Sequence, residues 1–483
     1  MDQCDPASAA MLGSSKAPLL FAFAGRKHVL SGRSSGEGSG VLVDLVSSAM
    51  AWDFETDPEF QEKLDWIDAF LAERIEPIDL VFPGLAYHPL EGKLRDLVDP
   101  LKQAVRDAGL WACHLGPELG GPGYGQVKLA LMNEKLGRSS WAPIVFGTQA
   151  PDTGNAEIIA HYGTDEQKEK YLQPLLDGEL FSSYSMTEPQ GGSDPTQFET
   201  RAEKDGDEWV INGWKFFSSN AKTSSFLIVM VVTNPDVSAY QGMSMFLVPT
   251  DTPGVNIVRN VGLMGEGRGH EGNHALIHYD NVRVPEANLL GGEGQAFAIA
   301  QTRLGGGRIH HAMRTVGMCQ KALDMMCERA LSRHTQGSLL AEKQSVQNFI
   351  ADSYIELTEF RLFVLYVAWT IDKHKDYRKV RHDIAAVKVR MPEVLHNIVQ
   401  RSIQVHGALG VSNELPLGGM WMTAPVMALV DGPSEVHRVT VARQLLKRYK
   451  PAEGLWPTEH LPTKVAEARE LLADYIEHEV ANA

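Results

Sequence analysis

The chain has 483 residues, of which 43% are hydrophobic and 22% are charged, and its formal net charge at pH 7 is −16. This length is sufficient for two or three packed domains. The acidic balance argues against nucleic acid or an anionic membrane as the main partner, because basic surfaces bind both. The four cysteines form no C-x-x-C pair, so we predict neither a metal site nor structural disulfides. No apolar run reaches the roughly 20 residues that a membrane-spanning helix needs.

The first 49 residues differ from the rest of the chain. Residues 31–40 are a low-complexity Gly/Ser segment, and residues 17–25 are a short apolar run. A secretory signal carries positive charge ahead of its apolar run, whereas here Asp2 and Asp5 come first. We therefore interpret residues 1–49 as a leader without folded structure, with Met50 as the true start. A targeting segment is the alternative interpretation.

Residues 50–180 are predicted to form an N-terminal α-helical domain. Four apolar side chains near its start recur at the spacing of a helix with one buried face: Phe60, Leu64, Ile67 and Leu71. Pro77 is predicted to end this helix. Further along, Thr164 or Asp165 is a suitable N-cap for a charged helix.

Residues 181–290 are predicted to form a middle β domain. Segments 226–233, 244–250 and 274–284 are rich in β-branched and aromatic residues and are separated by Gly and Pro. The Asn212-Gly213 pair lies between two such runs, which predicts a two-residue hairpin turn.

Residues 291–483 are predicted to form a C-terminal helical domain. Apolar residues in one segment recur every three or four positions: Val346, Phe349, Ile350, Leu357, Phe360 and Val364. Such a stripe indicates a helix packed in a core. Helices, strands and helices therefore follow one another without β-α-β alternation, which predicts an α+β fold and excludes a Rossmann sheet.

Several polar positions suit ligand binding, but each also has a simpler structural interpretation. The loop 187–193 combines hydroxyls with open glycine amides, which suits an anion or a heterocycle but is also typical of an ordinary loop. Arg333 suits a phosphate or a solvated helix end. Gly407 and Gly410 follow a helix and suit C-caps. The glycines of residues 303–308 indicate a loose or a closely packed helix segment.

Asp431 follows an apolar run and precedes Gly432 and Pro433. A carboxylate ahead of a Gly-Pro step and a helix-like run is typical of a helix cap, with Pro at the first position and Glu435 in the first turn. A carboxylate at the end of an apolar run also suits a catalytic base in a dry cleft. The residues alone leave both interpretations open.

Five motifs, taken together, resemble the flavin-dependent acyl-CoA dehydrogenase family. They are YSMTEPQGGSD, INGWKFFSSNA, VRVPEANLLGGEGQAF, QVHGALG and DGPSEVHR followed by AR, and the similarity spans about residues 53–451. The segments GRIHHAMRTVGM and LVDGPSEVHR are most similar to the branch whose larger members are fused to a kinase-like domain. The resemblance implies an N-terminal helical domain, a middle β-barrel-like domain and a C-terminal four-helix bundle.

The resemblance also implies FAD between the middle and C-terminal domains, with its adenine end covered by the neighbouring subunit. The matching flavin contacts in the middle domain are Tyr184, Met186, Thr187, Gly192, Ser193, Phe217, Ser218 and Ser219. The matching contacts from the neighbouring subunit are Arg333, Gln336, Gln404 and Gly407. Phe217 replaces the usual Trp, which keeps ring stacking but loses the indole N–H. Gln336 replaces a frequent Phe.

Asp431 falls on the family's catalytic base, which is usually Glu. That base takes the α-proton of a thioester as the β-hydrogen leaves as hydride to flavin N5, and Ser193 and Arg308 match positions near the CoA ester. Asp is one methylene shorter than Glu. Pro433 matches a position whose amide binds the thioester oxygen; Pro has no N–H, so the donor shifts, for example to the amide of Ser434, or this contact is weaker. Glu435 is the nearest other acid.

The resemblance implies an acyl-CoA substrate, reoxidation by an electron-transfer flavoprotein and a homodimer or homotetramer. It also implies a cytoplasmic location if the source is bacterial and a mitochondrial one if it is eukaryotic. Two other functions stay open. Nitroalkane oxidases share the fold and use an Asp base on a more acidic carbon, and a non-catalytic scaffold would keep the fold alone.

Overall fold

The structure is a computed structural model that describes residues 56–86, 90–264 and 272–481. The leader predicted for residues 1–49 lies outside the described residues. Helices, strands and helices follow one another along the described chain, which confirms the predicted α+β architecture. The domain boundaries at residues 180 and 290 stay a prediction.

The N-terminal part is helical. Its α-helices are α1 (Pro58–Phe70), α2 (Glu76–Val81), α3 (Gly92–Asp107), α4 (Gly125–Leu136), α5 (Ala142–Val145), α6 (Asp152–Tyr162), α7 (Asp165–Gln167) and α8 (Gln173–Leu176). The predicted apolar face of α1 is buried. Thr164 is the N-cap of α7 in a capping box. Its hydroxyl accepts from the backbone amide of Gln167, and the side-chain oxygen of Gln167 accepts from the backbone amide of Thr164, both at 3.2 Å.

The prediction that Pro77 ends the first helix is wrong. α1 continues through a π-helical turn, Leu71–Ile75, into α2, and Pro77 lies in the first turn of α2. The amide of Glu76 donates to the carbonyl of Leu71, five residues back, so the turn is widened by one residue. Pro77 is tolerated because it has no N–H to leave unpaired where the hydrogen-bond pattern changes from the π-helical turn to α2.

The middle part is a curled, mixed sheet of seven strands. They are β1 (Ser182–Ser185), β2 (Arg201–Asp205), β3 (Glu208–Ser219), β4 (Phe226–Val232), β5 (Met243–Pro249), β6 (Val255–Val261) and β7 (His274–Pro285). The strand order is β1-β4-β2-β3-β7-β6, and β5 also pairs with β4. β1 is parallel to β4, whereas β3 and β7 form a long antiparallel pair with two register shifts. Such irregularities bend a sheet.

The hairpin turn predicted at Asn212-Gly213 is also wrong. β3 runs unbroken through both residues and pairs with β7, with a register shift beside Gly213. A Cβ at Gly213 would lie 2.6 Å from the Cα of Thr200, so glycine serves close packing here and not a turn. The chain reverses at Gly206 instead, which has a φ of 64° between β2 and β3.

The C-terminal part is a bundle around three long helices. Its helices are α9 (Ala296–Ser332), α10 (Gln344–His374), α11 (Tyr377–His406), α12 (Leu417–Leu429), α13 (Ser434–Leu446), α14 (Leu461–Leu471) and α15 (Ala473–Ala481). Strands β8 (His334–Thr335) and β9 (Ser338–Leu339) form a small hairpin after α9. The apolar stripe predicted on α10 is confirmed, since Val346, Leu357, Phe360 and Val364 are buried.

α9 joins the two helical parts into one core. It packs against α4 and α6 of the N-terminal part and against α10 and α11. Gly317 permits the approach of α4, because a Cβ there would lie 2.0 Å from the carbonyl oxygen of Glu134. The apolar core accordingly continues from the N-terminal helices into the bundle, so α9 has a fixed position relative to both.

Glu157 of α6 is a buried carboxyl where α6, α9 and α11 meet. A Cβ added to Gly306 of α9 would lie 2.7 Å from its Oε2 and 3.3 Å from the hydroxyl of Tyr377. Burial raises the pKa of Glu157 to about 8, against the lowering effects of a hydrogen bond with Tyr377 and the charge of Arg303. The carboxyl is therefore mostly protonated at pH 7.

Replacing Glu157 by Gln should stabilise the protein increasingly as the pH rises. The folded-state pKa of about 8 lies above the ordinary value of 4.5, so the wild type loses stability as the pH rises between these values, while Gln does not titrate. We expect the difference in Tm between Glu157→Gln and wild type to grow between pH 5 and about pH 8 and then to level off. Exposed Glu59→Gln controls for the lost charge, and a Glu157→Gln difference that is constant or shrinks with pH would contradict the account.

Candidate active site

Asp431 lies in the turn between α12 and α13, where the backbone is unusual. Its φ is +53° and that of Gly432 is +103°, so two successive residues adopt positive φ values that Asp tolerates better than most side chains do. α13 begins at Ser434, and no side chain caps its first turn. Asp431 is therefore not the helix cap that one interpretation of the sequence predicted.

The carboxylate of Asp431 faces α9 in a nearly closed site. Its Oδ1 is 3.8 Å from Nη1 of Arg303 and its Oδ2 is 3.7 Å from Nε2 of His311, while the side chain keeps 16% of its exposure. Within the described residues, neither carboxylate oxygen accepts a hydrogen bond at normal distance. A carboxylate with close positive charge but unoccupied acceptor positions is able to take up a proton from a ligand.

Basic neighbours keep this carboxylate ionised. Burial raises the pKa of Asp431, but the neighbours lower it by more, so that its pKa lies below the ordinary 3.8. They are His311, which contributes only when its ring is protonated, Arg303, Arg308 and Lys388. Burial lowers the pKa of His311 to about 4, so its ring is neutral at pH 7. The two arginines and Lys388, whose pKa burial lowers to about 8, supply the positive charge.

A run of three glycines in α9 gives Asp431 room. A Cβ on Gly307 would lie 3.0 Å from Oδ2 of Asp431, and one on Gly305 would lie 3.0 Å from the ring of Tyr377. Of the two alternatives predicted for this segment, the structure shows close packing and not a loose helix. Arg303, Gly307 and His311 are four residues apart, so they share one face of α9, and that face contacts the carboxylate.

Arg303 connects Asp431 to the sheet. Its guanidinium lies over the ring of Tyr184, 3.9 Å from the ring centroid, and its Nε donates to Oδ1 of Asn155 at 2.9 Å. Asn155 in turn donates to the hydroxyl of Ser182 at 2.9 Å. These contacts fix Asp431 of the bundle relative to β1.

The structure brings together the positions predicted to surround the flavin ring at the ends of β1 and β3. The hydroxyls of Ser185 and Ser218 are 3.0 Å apart, the carbonyl of Thr187 accepts from the amide of Phe216 at 2.9 Å, and Ser219 contacts Nδ1 of His274 at 2.8 Å. The backbone carbonyl of Met186 accepts from Nζ of Lys215 at 2.7 Å.

A buried ion pair fixes the loop that follows β1. Lys215 and Glu188 are 2.8 Å apart and almost fully buried, and the carboxylate of Glu188 also accepts from the amides of Glu199 and Thr200. Removing either partner would leave an uncompensated buried charge. The segment 186–200 is therefore held in one conformation.

The side chains on this surface fit a flavin. The hydroxyl of Tyr184, on the face of β1 that Arg303 covers, is buried without a partner in the described part of the chain, and a bound heterocycle with polar edges would satisfy such a group. Phe217 has a φ of +57°, remains 50% exposed and stacks on Phe216 with ring centroids 4.1 Å apart. An aromatic ring held open in a strained backbone is suited to stack on a planar ligand.

The remaining predicted contacts lie apart from this cluster. Gly192 and Ser193 are exposed in the loop after β1, and the others are exposed at the ends of α9 and α11: Arg333, Gln336, Gln404 and Gly407. Arg333 is the C-cap residue of α9, 30 residues beyond Arg303, which is about 45 Å along the helix at 1.5 Å per residue. One chain therefore cannot bring both arginines to the same flavin. Gly407 is the C-cap of α11, as the alternative interpretation predicted, but Gly410 is not.

Sequence analysis missed the basic residues around Asp431 other than Arg308. Arg303 and His311 sit at helical spacing with Gly307, a signal that could have placed them on one face. Lys388 and His437 come from α11 and α13, and no pattern in the sequence connects them to Asp431. His437 is 3% exposed, and its Nε2 is 3.2 Å from the carbonyl oxygen of Asp431.

The described residues contain no group of three or more His, Cys, Asp or Glu side chains that could hold a metal ion. Among the helices described, none is both long and apolar enough to span a membrane.

Comparison with known sequences assigns each part of the chain to one family. The models of the acyl-CoA dehydrogenase N-terminal, middle and C-terminal domains match residues 58–179, 183–281 and 294–446, respectively. Together these matches cover most of the chain, including Asp431 and the turn that carries it.

Individual relatives agree with this assignment. The chain is 41% identical over 414 residues to the Probable acyl-CoA dehydrogenase FadE2 of Mycobacterium tuberculosis, covering 84% of this chain and 98% of that protein. It is 41% identical over 355 residues to human Acyl-CoA dehydrogenase family member 11, covering 73% of this chain but 45% of that longer protein. A solved protein from Mycobacterium abscessus is 37% identical, with a TM-score of 0.75 over 82% of this chain and all of that one. The chain belongs to the acyl-CoA dehydrogenase family of FAD-dependent oxidoreductases.

Proposed function

We propose that this protein catalyses the FAD-dependent α,β-dehydrogenation of an acyl-CoA thioester, with Asp431 as the base that removes the α-proton. The observation that carries the proposal is the carboxylate of Asp431, which is buried, ionised and free of hydrogen bonds from the described residues, next to the surface that fits a flavin. Bound FAD would supply the acceptor for the hydride that leaves the β-carbon.

Asp431 can accept a proton because it is ionised, and the loss of water around it when substrate binds would make it a stronger base. In the free protein the pKa of Asp431 lies below its ordinary value, so the group is a carboxylate at pH 7. An acyl chain that fills the cleft would remove the remaining 16% of exposure and raise the basicity of the carboxylate. Proton transfer then requires the α-carbon to lie within hydrogen-bond reach of Oδ1 or Oδ2.

The thioester oxygen also needs a hydrogen-bond donor, because proton removal develops negative charge on it. Pro433 has no amide N–H. The amides of Asp431, Gly432 and Ser434 lie between the end of α12 and the start of α13 and have no acceptor among the described residues. Of these we assign the donor to the amide of Asp431, which would bind the thioester oxygen and thereby hold the α-carbon beside the carboxylate of the same residue.

Arg308 holds the backbone of Asp431 and does not bind its carboxylate directly. It was predicted to lie near the CoA ester, and its Nε donates to the carbonyl of Asp431 at 3.0 Å. We propose that it acts on the substrate through this turn, and that Ser193, exposed after β1, contacts the thioester arm. The acyl chain length stays open, and longer or 4-hydroxylated chains are the expectation from the most similar branch.

The positions of Arg333 and Asp431 favour an assembly of at least two subunits. Because 26 residues of α9, about 39 Å at 1.5 Å per residue, separate Gly307 beside Asp431 from Arg333, Arg333 would hold the pyrophosphate of the neighbouring subunit's FAD, together with Gln336, Gln404 and Gly407. We further propose a homodimer or homotetramer that passes its electrons to an electron-transfer flavoprotein.

Replacing Asp431 by Asn should abolish proton removal while FAD remains bound. Asn preserves the shape of the side chain but cannot accept the proton, and a general base contributes about 10²- to 10⁴-fold to a rate. We expect flavin bleaching by the best acyl-CoA of a panel, measured anaerobically by stopped flow, to slow by at least that factor. Glu435→Gln, which changes the nearest exposed carboxylate, should bleach at the wild-type rate.

The same titration separates the alternatives. Bleaching of Asp431→Asn at the wild-type rate would exclude Asp431 as the base. Bleaching of the wild type by nitroethane and by no CoA ester would assign it to the nitroalkane oxidases, and a purified protein that takes up no FAD would assign it to a scaffold role.

Replacing Arg333 by Ala should weaken FAD binding without changing the fold. A charge-assisted hydrogen bond contributes about 1.5–3 kcal/mol, so we expect the Kd for FAD, measured by flavin fluorescence on apoprotein, to rise about 10- to 100-fold. The matched control is Arg378→Ala, an arginine at the start of α11 with a side chain that is 90% exposed. Equal Kd values for Arg333→Ala and the wild type would remove Arg333 from the cofactor site.

A further inference from the structure

The backbone carbonyl of Asp431 is held from two sides. Nε of Arg308 on α9 donates to it at 3.0 Å, and Nε2 of His437 on α13 lies 3.2 Å from it. A carbonyl oxygen has two acceptor positions, so these two donors use both. Both α9 and α13 therefore hold the peptide group between Asp431 and Gly432 in place.

His437 acts here as a hydrogen-bond donor. Burial and the charges of Arg308 and Lys388 lower the pKa of His437 to about 4, so its ring is neutral at pH 7 and carries one proton. Because its partner is a carbonyl, which only accepts, that proton must be on Nε2. The ring also packs under Gly432, where a Cβ would lie 3.1 Å from Nε2.

This contact matters because the base is short. Asp has one methylene fewer than Glu, which removes about 1.5 Å of reach, and its carboxylate follows the backbone through only two side-chain torsions. The backbone at Asp431 is itself in the positive-φ region, which is unfavourable for a residue with a Cβ. Without donors to its carbonyl, the turn could relax and withdraw the carboxylate from the cleft.

We propose that His437 is a positioning residue for the reaction: by donating to the carbonyl of Asp431 opposite Arg308, it fixes the turn so that an aspartate reaches the substrate α-carbon. This inference rests on the proposed role of Asp431 as the base. His437 itself touches neither the carboxylate nor the reacting atoms.

The test compares two replacements of His437 in the full-length, FAD-loaded protein. His437→Gln keeps an N–H donor at a similar reach, whereas His437→Leu keeps the volume and loses the donor. With the acyl-CoA that bleaches the wild type fastest, we measure the limiting rate of flavin reduction, the Kd for acyl-CoA, the flavin content and the Tm. A misplacement of about 1 Å can cost on the order of 10²-fold in rate.

We expect His437→Leu to lower the limiting rate about 10- to 100-fold, while the Kd for acyl-CoA changes less than about threefold and the flavin content is unchanged. His437→Gln should recover the rate to within about fivefold of wild type. A purely structural role would instead lower the Tm and flavin content of both variants together and leave the rate per bound flavin unchanged.

Wild-type rates in His437→Leu, or equal losses of rate in the Leu and Gln variants, would overturn the inference. If His437→Leu does not retain FAD, His437→Asn replaces it, because the shorter amide cannot reach the carbonyl, and the same outcomes apply. Asp431→Asn measured alongside separates the two proposals. Bleaching of Asp431→Asn removes the proposed function, whereas loss of bleaching there with full activity in His437→Leu removes only the role of His437.

Discussion

Burying the carboxylate of Asp431 costs free energy that only neighbouring positive charge can offset. The site meets this requirement with Arg303, Arg308 and Lys388, which come from two helices of the bundle and act from beyond hydrogen-bond distance of the carboxylate. The result is an anion that is stable in a nearly dry site but keeps its acceptor positions for a substrate. A directly bonded ion pair would have given the same charge balance and a much weaker base.

α9 is the element that makes this arrangement possible. It carries Arg303 and Arg308, opens at Gly307 to admit the carboxylate, and packs on α4, α6, α10 and α11. Through Arg303 it also contacts Tyr184 of β1, so the positions of Asp431, the candidate flavin surface and the two helical parts all depend on α9. The Lys215–Glu188 ion pair then fixes the loop that follows β1. A positional error in α9 would therefore displace the base and the cofactor surface together.

Much of the fold could be predicted from local patterns, because helical periodicity and β-branched runs report burial directly. The failures were at Pro77 and at Asn212-Gly213. A π-helical turn in one case and contact with Thr200 in the other decided the structure, and neither is visible in local propensity. For the site, the resemblance to a family predicted the importance of Asp431. Lys388 and His437 lie near it only because α11 and α13 pack around the turn that carries Asp431, and no sequence pattern predicts that packing. The positive charges that lower the pKa of Asp431 belong to Arg303, Arg308 and Lys388, and only the folded chain brings them close to Asp431.

The central claim is that the carboxylate of Asp431 removes an α-proton from an acyl thioester. Hydrogen exchange tests it without any dehydrogenation, if the acyl-CoA analogue has sulfur in place of its β-methylene and so has no β-hydride to lose. In D₂O, the FAD-loaded wild type should exchange the α-hydrogens of this analogue with solvent, as mass spectrometry would show, while Asp431→Asn should leave them in place. Exchange at equal rates in both proteins would contradict the assignment of Asp431 as the base.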